Sequence, residues 1–165
     1  GCPFFMTLLD TFDRSFATIS ARSRAILDLT SDEILYKHPR DLPNTFAIFT
    51  VGEYVLRSAA AVEQTFGGIT TRLWDDPFEW TLPEKLYSID LVKEYLDEVD
   101  STRAEGVAFV ANDESLSKSI PAPVKIVPIS QVLIDTLARS EHYLGRAYAV
   151  FQMISDEKLP RIESF

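Results

Sequence analysis

The chain has little cysteine, little histidine and a deficit of positive charge, and each shortage excludes a class of protein. Cys2 is its one cysteine among 165 residues, so no internal disulfide can form, which is typical of a reducing compartment. The net charge of −9 opposes binding to nucleic-acid phosphates and to anionic lipid surfaces. No apolar run is long enough to span a bilayer. We therefore expect a cytoplasmic protein that binds neither nucleic acid nor membranes.

What the chain does have is helical periodicity. The hydrophobic content of 46% is typical of a folded protein, and the length fits a single domain over residues 1–165. Apolar residues recur every three or four positions in four stretches, at residues 5–27, 45–66, 84–112 and 128–154. The fourth stretch repeats at Leu133, Leu137, Ser140, Leu144, Tyr148 and Phe151. The pattern predicts an all-α four-helix bundle.

Local signals predict where the helices begin and end. The pairs Thr30 with Glu33 and Thr81 with Glu84 have capping-box spacing, which predicts a helical turn and the start of the third helix. Gly67-Gly68 is predicted to end the second helix. Two long connectors, residues 69–83 and 113–127, complete the chain. Short extended pieces such as residues 124–127 are compatible with this pattern, but no sheet is predicted.

The segment from Glu141 to Ala147, which reads EHYLGRA, resembles the histidine-rich HHRGQI segment of the DinB/YfiT-like family, with Gly145 at the glycine. The layout of helices and connectors is similar to that family over nearly the whole chain. The resemblance implies a four-helix bundle with long connectors. It also implies a site in which three histidines, one from the second helix and two from the fourth, bind nickel or zinc. Two histidines four residues apart lie on one helix face, so both can reach one ion.

This chain departs from that histidine pattern. Alignment on Gly145 places the two fourth-helix ligand positions at Arg139 and Tyr143, whereas a shift of one residue places them at Ala138 and His142. The second-helix position falls near Arg57 or Ser58, and that stretch contains no histidine. At most one family ligand, His142, is retained. We therefore expect no metal cofactor, with nickel or zinc as the alternative if the family site persists.

Several candidate site residues have a structural and a functional interpretation. His142 is either a helix residue bonded to a neighbour such as Glu141, or a relic ligand or general base in a pocket. Arg57 follows Glu53 by four residues, which predicts an ordinary ion pair on the helix. Alternatively, Arg57 lies in the former metal cavity and pairs with Glu141. Tyr143, with Tyr54 and Tyr148, could line such a pocket.

Two functional hypotheses follow. The first is a DinB-like homodimer whose degenerate site binds a small ligand or a partner without the family's metal. The alternative is a metal-dependent transferase or hydrolase of that family with an atypical ligand set. The candidate pocket residues are His142, Glu141, Arg57, Tyr143, Arg139 and Glu53.

Overall fold

A computed structural model describes residues 6–39 and 49–161 and confirms an all-α, four-helix architecture with long connectors. The helices are α1 Leu8–Leu29, α2 Val51–Thr71, α3 Ile89–Val110 and α4 Ile129–Ile154. Short 3₁₀ helices lie at Pro77–Glu79 and Asp113–Ser117. Strands β1 Ser119–Pro121 and β2 Ile126–Pro128 pair antiparallel just before α4.

The four helices pack as a ring in the order α1, α3, α2, α4. Helix α2 makes its most extensive contacts with α4 and α3, and α1 packs against the same two helices. Helices α1 and α2 therefore lie on one diagonal of the bundle. This order brings together α2 and α4, the two helices that the resemblance associates with a metal site.

The predicted apolar stripes form the core. The periodic residues of α1 are all buried, namely Phe12, Phe16, Ile19, Ser23 and Ile26. The α4 stripe is buried except at Leu137, which is partly buried. Burial follows the helical repeat because residues three and four apart share one helix face. Among the residues that the structure describes, no helix is long and apolar enough to cross a membrane.

Side-chain caps define the starts of three helices. Thr7 and Asp10 form a capping box at α1, and Thr50 and Glu53 form one at α2. Ser88 accepts a hydrogen bond from the Leu91 amide at the start of α3. These caps satisfy amides that have no partner within the helix. The predicted start of the second helix, at residue 45, lies outside the described residues.

The predicted end of the second helix was wrong, because α2 runs through both glycines to Thr71. Neither Gly67 nor Gly68 has a positive φ, and the left-handed position is taken by Arg72, at φ 63°. Gly68 instead permits close packing, since a Cβ there would lie 2.3 Å from the Trp74 ring. The Gly67-Gly68 pair therefore marks a close contact between α2 and the Trp74 indole and not the end of the helix.

The capping boxes predicted at Thr30 and Thr81 were also wrong, although the helical turn predicted after Thr30 is present, with the Leu35 amide donating to the Ser31 carbonyl at 3.0 Å. Thr30 follows the end of α1, and its hydroxyl donates to the Ile26 carbonyl 2.7 Å away. Thr81 donates to the Pro77 carbonyl, and the third helix begins at Ile89 rather than near residue 84. In each case the hydroxyl binds the preceding turn, which competes with capping the next one. The β1–β2 hairpin was not predicted as a sheet.

Candidate functional site

A cavity of about 100 Å³ lies between α2, α4 and the connector that follows α2. We call it the α2–α4 pocket, and it is lined by Arg57, Ala60, Ala61, Gln64, Asp76, Phe78, Arg139 and Tyr143. Ala60, Ala61 and Gln64 follow Arg57 by three, four and seven positions, so these four α2 residues share one face of the helix. The two α4 residues are four positions apart. The small side chains of Ala60 and Ala61 leave the space that forms the pocket.

Arg57 is held between two aromatic rings. Its guanidinium carbon lies 4.1 Å from the centre of the Phe49 ring and 4.0 Å from that of Phe78. Cation–π contacts of this kind stabilise a guanidinium without neutralising it. The Nε atom of Arg57 is buried and has no hydrogen-bond partner in the described part of the chain. Arg57 is therefore fixed in position while part of its donor capacity is unused.

Neither predicted partner of Arg57 binds it. The Glu53 carboxylate accepts hydrogen bonds from the amide and hydroxyl of Thr50, as part of the α2 cap. Glu141 accepts two hydrogen bonds from Arg22 on α1, at 2.8 and 3.0 Å. Within residues 6–39 and 49–161, no carboxylate lies within ion-pair distance of Arg57.

The two α4 residues of the pocket differ in exposure. Arg139 is exposed and forms no ion pair with a described residue. Tyr143 is partly buried, and its ring stacks on that of Tyr54, with the two centres 6.5 Å apart. Arg139 thus places an exposed guanidinium at the rim of the pocket, and Tyr143 adds a partly buried wall with a hydroxyl.

The connector contributes residues that the sequence prediction missed. An Asp76 carboxylate oxygen accepts a hydrogen bond from the Phe78 amide at 3.0 Å and so caps the 3₁₀ helix that carries Phe78. Gln64 donates its side-chain amide to the Trp74 carbonyl at 2.9 Å, which fixes the connector to α2. The nearest signal in the sequence is the aromatic content of residues 69–83, which include Trp74 and Trp80 and are too aromatic for a disordered linker.

The two histidines lie away from the pocket lining. His142 is exposed on α4 and contacts the edge of Tyr143, with ring centres 5.7 Å apart. His38 is exposed in the loop after α1. The structure therefore brings together Arg57, Arg139 and Tyr143 in one pocket but does not bring His142, Glu141 or Glu53 into its lining.

Buried hydroxyl pairs join α2 to α4 beside the pocket. The hydroxyls of Ser58 and Ser140 lie 2.8 Å apart, and each also donates to the backbone carbonyl of the other residue. The hydroxyls of Thr65 and Thr136 lie 2.6 Å apart. We call these four residues the hydroxyl layer. Its members satisfy one another, so the layer is structural, and small polar residues at buried stripe positions such as Ser140 were its signal in the sequence.

A second cavity, of about 340 Å³, lies on the other side of α2. Its lining includes the acidic residues Glu63, Asp75 and Glu105 and the indole of Trp80. The Tyr95 hydroxyl donates to Glu63 at 2.6 Å. Burial raises the pKa of Glu63 above its usual range, and the hydrogen bond from Tyr95 partly offsets that increase.

Comparison with solved structures identifies the architecture. The chain superposes on the crystal structure of a DinB-like protein from Bacillus cereus ATCC 10987 with a TM-score of 0.74, over 97% of this chain and 100% of the other. The chain has the DinB-like fold. Sequence identity is 16%, so the similarity shows the DinB-like fold alone. No family model matches the chain, and no curated protein does.

The residues present do not fit the metal that the DinB-like resemblance implies. Alignment on Gly145 places Arg139 and Tyr143 at the two fourth-helix positions, and the second-helix position falls near Arg57 or Ser58. Arginine is a permanently protonated donor with no lone pair for a metal. In the parts of the chain that the structure describes, no three histidine, cysteine, aspartate or glutamate side chains are grouped to hold an ion. The DinB-like fold is thus combined with a cationic pocket.

Proposed function

We propose that the α2–α4 pocket binds a small molecule without the metal ion of the family that the sequence resembles. One observation carries the proposal. Arg139 and Tyr143, which alignment on Gly145 assigns to metal ligands, line a single cavity together with Arg57, one of the two candidates for the second-helix position. The sequence resemblance implies a metal site at these positions, but the side chains present have a different chemistry.

Size and lining support a ligand site. A cavity of about 100 Å³ has room for several waters or one small organic molecule. A concave site with a few convergent polar groups is the usual form of a small-molecule site. Here the polar groups are two guanidiniums, a phenol, an amide and one carboxylate, and Ala60 and Ala61 supply an apolar floor.

Electrostatics supports the loss of the metal. Two arginines place positive charge where a divalent cation would bind, and like charges in a partly buried site repel. Arginine stays charged at all accessible pH values, so the repulsion cannot be relieved by deprotonation. Tyr143 alone is a poor divalent ligand. The two guanidiniums thus supply positive charge where the ion would lie, and they cannot serve as ligands to a metal.

The remaining features of the proposal concern the whole chain. We propose that residues 1–165 form one domain and that the protein is a cytoplasmic homodimer. Light scattering of the eluting protein during size-exclusion chromatography tests the dimer, for which the expected mass is twice the 18.6 kDa of the chain. A monomeric mass at micromolar concentration would contradict this part of the proposal.

An NMR fragment screen tests the pocket. A library of small neutral, cationic and anionic fragments is added to ¹⁵N-labelled protein, and we expect saturable shifts at Ala60, Ala61, Gln64 and Tyr143. Ala60→Met places a longer side chain in the cavity and should abolish those shifts. If that variant does not fold, Arg139→Ala, at an exposed position, provides the second test. No fragment shifting these signals would contradict the proposal.

Addition of nickel tests the metal-free part. Ni²⁺ is paramagnetic, so an ion in the pocket would broaden the signals of Ala60, Ala61 and Gln64. We expect these signals to remain sharp and the unfolding temperature to stay constant. Weak broadening near exposed His142 alone is compatible with the proposal. Broadening of the pocket signals, with a rise in unfolding temperature, would instead support the metal-dependent alternative.

A further inference from the structure

We infer that the ligand of the α2–α4 pocket is a small monocarboxylate, bound through its carboxylate by the guanidinium groups of Arg57 and Arg139. This inference rests on the proposed function and specifies its ligand. It depends on the geometry of Arg57, on the charges around the pocket and on the pocket's size.

The contacts of Arg57 with two aromatic rings determine how a ligand can approach its N–H groups. The centres of the Phe49 and Phe78 rings each lie about 4 Å from the guanidinium carbon, so both rings contact the cation and neither accepts a conventional hydrogen bond from it. The N–H groups lie in the guanidinium plane, so they stay free for an acceptor at the edge. A carboxylate binds arginine in this manner, in plane and through two parallel hydrogen bonds.

An unused buried donor supports the same conclusion. The Nε atom of Arg57 is buried and has no acceptor among the described residues. Leaving a buried donor without a partner is unfavourable, and an anionic acceptor compensates for that more than a neutral one does. The Nε atom of Arg22 is likewise buried without a partner, but Arg22 binds the Glu141 carboxylate through Nη1, whereas Arg57 forms no ion pair with a described residue. Arg57 thus has a site for a carboxylate that the described chain does not fill.

Charge balance favours a monoanion. The pocket lining contains two arginines and one acidic residue, Asp76, so it carries one net positive charge. One carboxylate oxygen of Asp76 is held by the Phe78 amide, and the Asp76 carboxylate lies beyond ion-pair distance of Arg57 and Arg139. A carboxylate carries one negative charge at neutral pH, whereas a phosphate group carries close to two. The lining therefore matches a carboxylate better than a phosphate.

Size limits what is attached to the carboxylate. The cavity of about 100 Å³ accepts a short chain, and the methyl groups of Ala60 and Ala61 provide an apolar surface for it. The Gln64 side-chain oxygen is not used in its bond to Trp74 and remains as an acceptor. Acetate is therefore a suitable probe.

Titration of the intact protein with acetate tests the inference at constant pH and ionic strength. The signals observed are the Nε–H group of Arg57 and the amides of Ala60 and Ala61. Acetamide, which has the same shape and no charge, is the matched control, and methylammonium and phosphate complete the set. We expect acetate to bind at least about tenfold more tightly than acetamide, since hydrogen bonds to a charged group are stronger.

Variants assign the effect to the two arginines. Arg139→Gln should weaken acetate binding at least about tenfold and leave acetamide unchanged, because one charge-assisted contact is lost. Arg57→Lys keeps the charge but removes the planar pair of donors and should also weaken acetate binding. Arg14→Gln, at an exposed site on α1, changes the net charge equally and should have no effect.

The outcomes separate this inference from the proposed function. If acetamide or methylammonium binds in the pocket as tightly as acetate, the pocket is a ligand site and the carboxylate inference is overturned. Tighter binding of phosphate than of acetate also overturns it. If neither these probes nor the fragment library shift the pocket signals, both the proposed function and the inference fail.

Discussion

Helix α2 presents two very different surfaces to its two main neighbours. Toward α3 the contact around Gly106 is close and apolar, although Tyr95 binds Glu63 and the second cavity opens farther along the same side. The Gly106 backbone lies against the Phe66 ring, which in turn packs edge-on against Phe16, with ring centres 5.2 Å apart. Toward α4 the contact is polar and contains small residues, with the hydroxyl layer and the α2–α4 pocket side by side. One helix thus carries a tightly packed apolar contact at Gly106 and, on its α4 side, the arginine-lined pocket for which we propose a ligand.

The comparison shows that polarity alone does not mark a site. The hydroxyl layer and the pocket lining are both polar and both lie between α2 and α4. In the hydroxyl layer each side chain has a partner, whereas Arg57 and Arg139 have no carboxylate partner in the described residues. Paired buried groups add specificity to the packing, and groups that remain available face the cavity. The presence or absence of a hydrogen-bonding partner therefore distinguishes the structural hydroxyl layer from the pocket that we propose to bind a ligand.

The largest expected effect comes from the α3 side. Gly106→Ala places a Cβ 2.4 Å from the Phe66 ring and 2.9 Å from its Cβ, so the helices must move apart. We expect a loss of about 3 kcal/mol in the free energy of unfolding, toward the upper end for overpacking. Urea unfolding followed by circular dichroism measures it.

Gly145→Ala is the matched control for that prediction. A Cβ at Gly145 has nothing within 4 Å, and the residue lies in the interior of α4 without a positive φ. Alanine should stabilise the helix by up to about 1 kcal/mol because its helix propensity is higher. Equal destabilisation by both substitutions would show that the Gly106 contact with Phe66 is not the cause.

The hydroxyl layer gives the next effect. Thr136 donates to the Val132 carbonyl, so Thr65 donates to Thr136. Thr136→Val keeps the shape and leaves the buried Thr65 hydroxyl without its acceptor, which should cost about 2 kcal/mol of unfolding free energy.

The double variant Thr65→Val with Thr136→Val should recover most of that loss, since both partners become apolar. Chemical denaturation of the two single variants and the double variant measures the coupling. Additive losses in the double variant would contradict the assignment of the layer as a mutually satisfied pair. Acetate binding in the neighbouring pocket should be the same in all three variants.

A smaller effect, dependent on pH, is expected at Glu63. Burial raises the pKa of this carboxyl in the folded state, so its contribution to stability is full at low pH and is lost as the pH rises through the raised pKa. Glu63→Gln removes this dependence and keeps an acceptor for Tyr95. The unfolding free energy of the variant relative to wild type should rise between pH 4 and pH 7, by less than about 1 kcal/mol because Glu63 is partly solvated. A constant difference would contradict the prediction.

The smallest effect on stability is expected at the pocket rim. Arg139 is exposed and makes no described ion pair, so Arg139→Gln should change the unfolding free energy by no more than about 0.5 kcal/mol. Thermal unfolding checks this value. Together with a loss of acetate binding, it would show that the α4 side of α2 serves a ligand. A loss as large as that of Gly106→Ala would show instead that Arg139 holds the bundle together.

The fold was predictable from periodicity, whereas several boundaries were not. Ile26 and Phe151 are buried because a 3.6-residue repeat places them on the core face, and that repeat is visible in the sequence. The end of α2 depends on how Gly68 meets Trp74, a contact that no local pattern contains. Likewise, the Thr81 hydroxyl could bind the preceding Pro77 carbonyl or cap the following turn, and tertiary packing decides between these two partners.

The candidate site was predictable in part for a related reason. Arg139 and Tyr143 share a face of one helix, so their spacing was sufficient to group them. Pairing between elements was not accessible: Glu141 binds Arg22, 119 residues earlier in the chain, and Phe78 reaches Arg57 from a connector. Spacing along one helix can predict which residues share a face, but it does not predict which residue of another element lies opposite.

The hydroxyl layer also has a consequence for the kinetics of folding. Ser58 and Ser140 are 82 residues apart in the chain, and Thr65 and Thr136 are 71 apart. Closing such long loops costs chain entropy before any contact between α2 and α4 forms, and distant contacts of this kind slow folding relative to local ones. The pocket does not exist until that closure occurs. We therefore expect the binding surface to be among the last parts of the protein to form after synthesis.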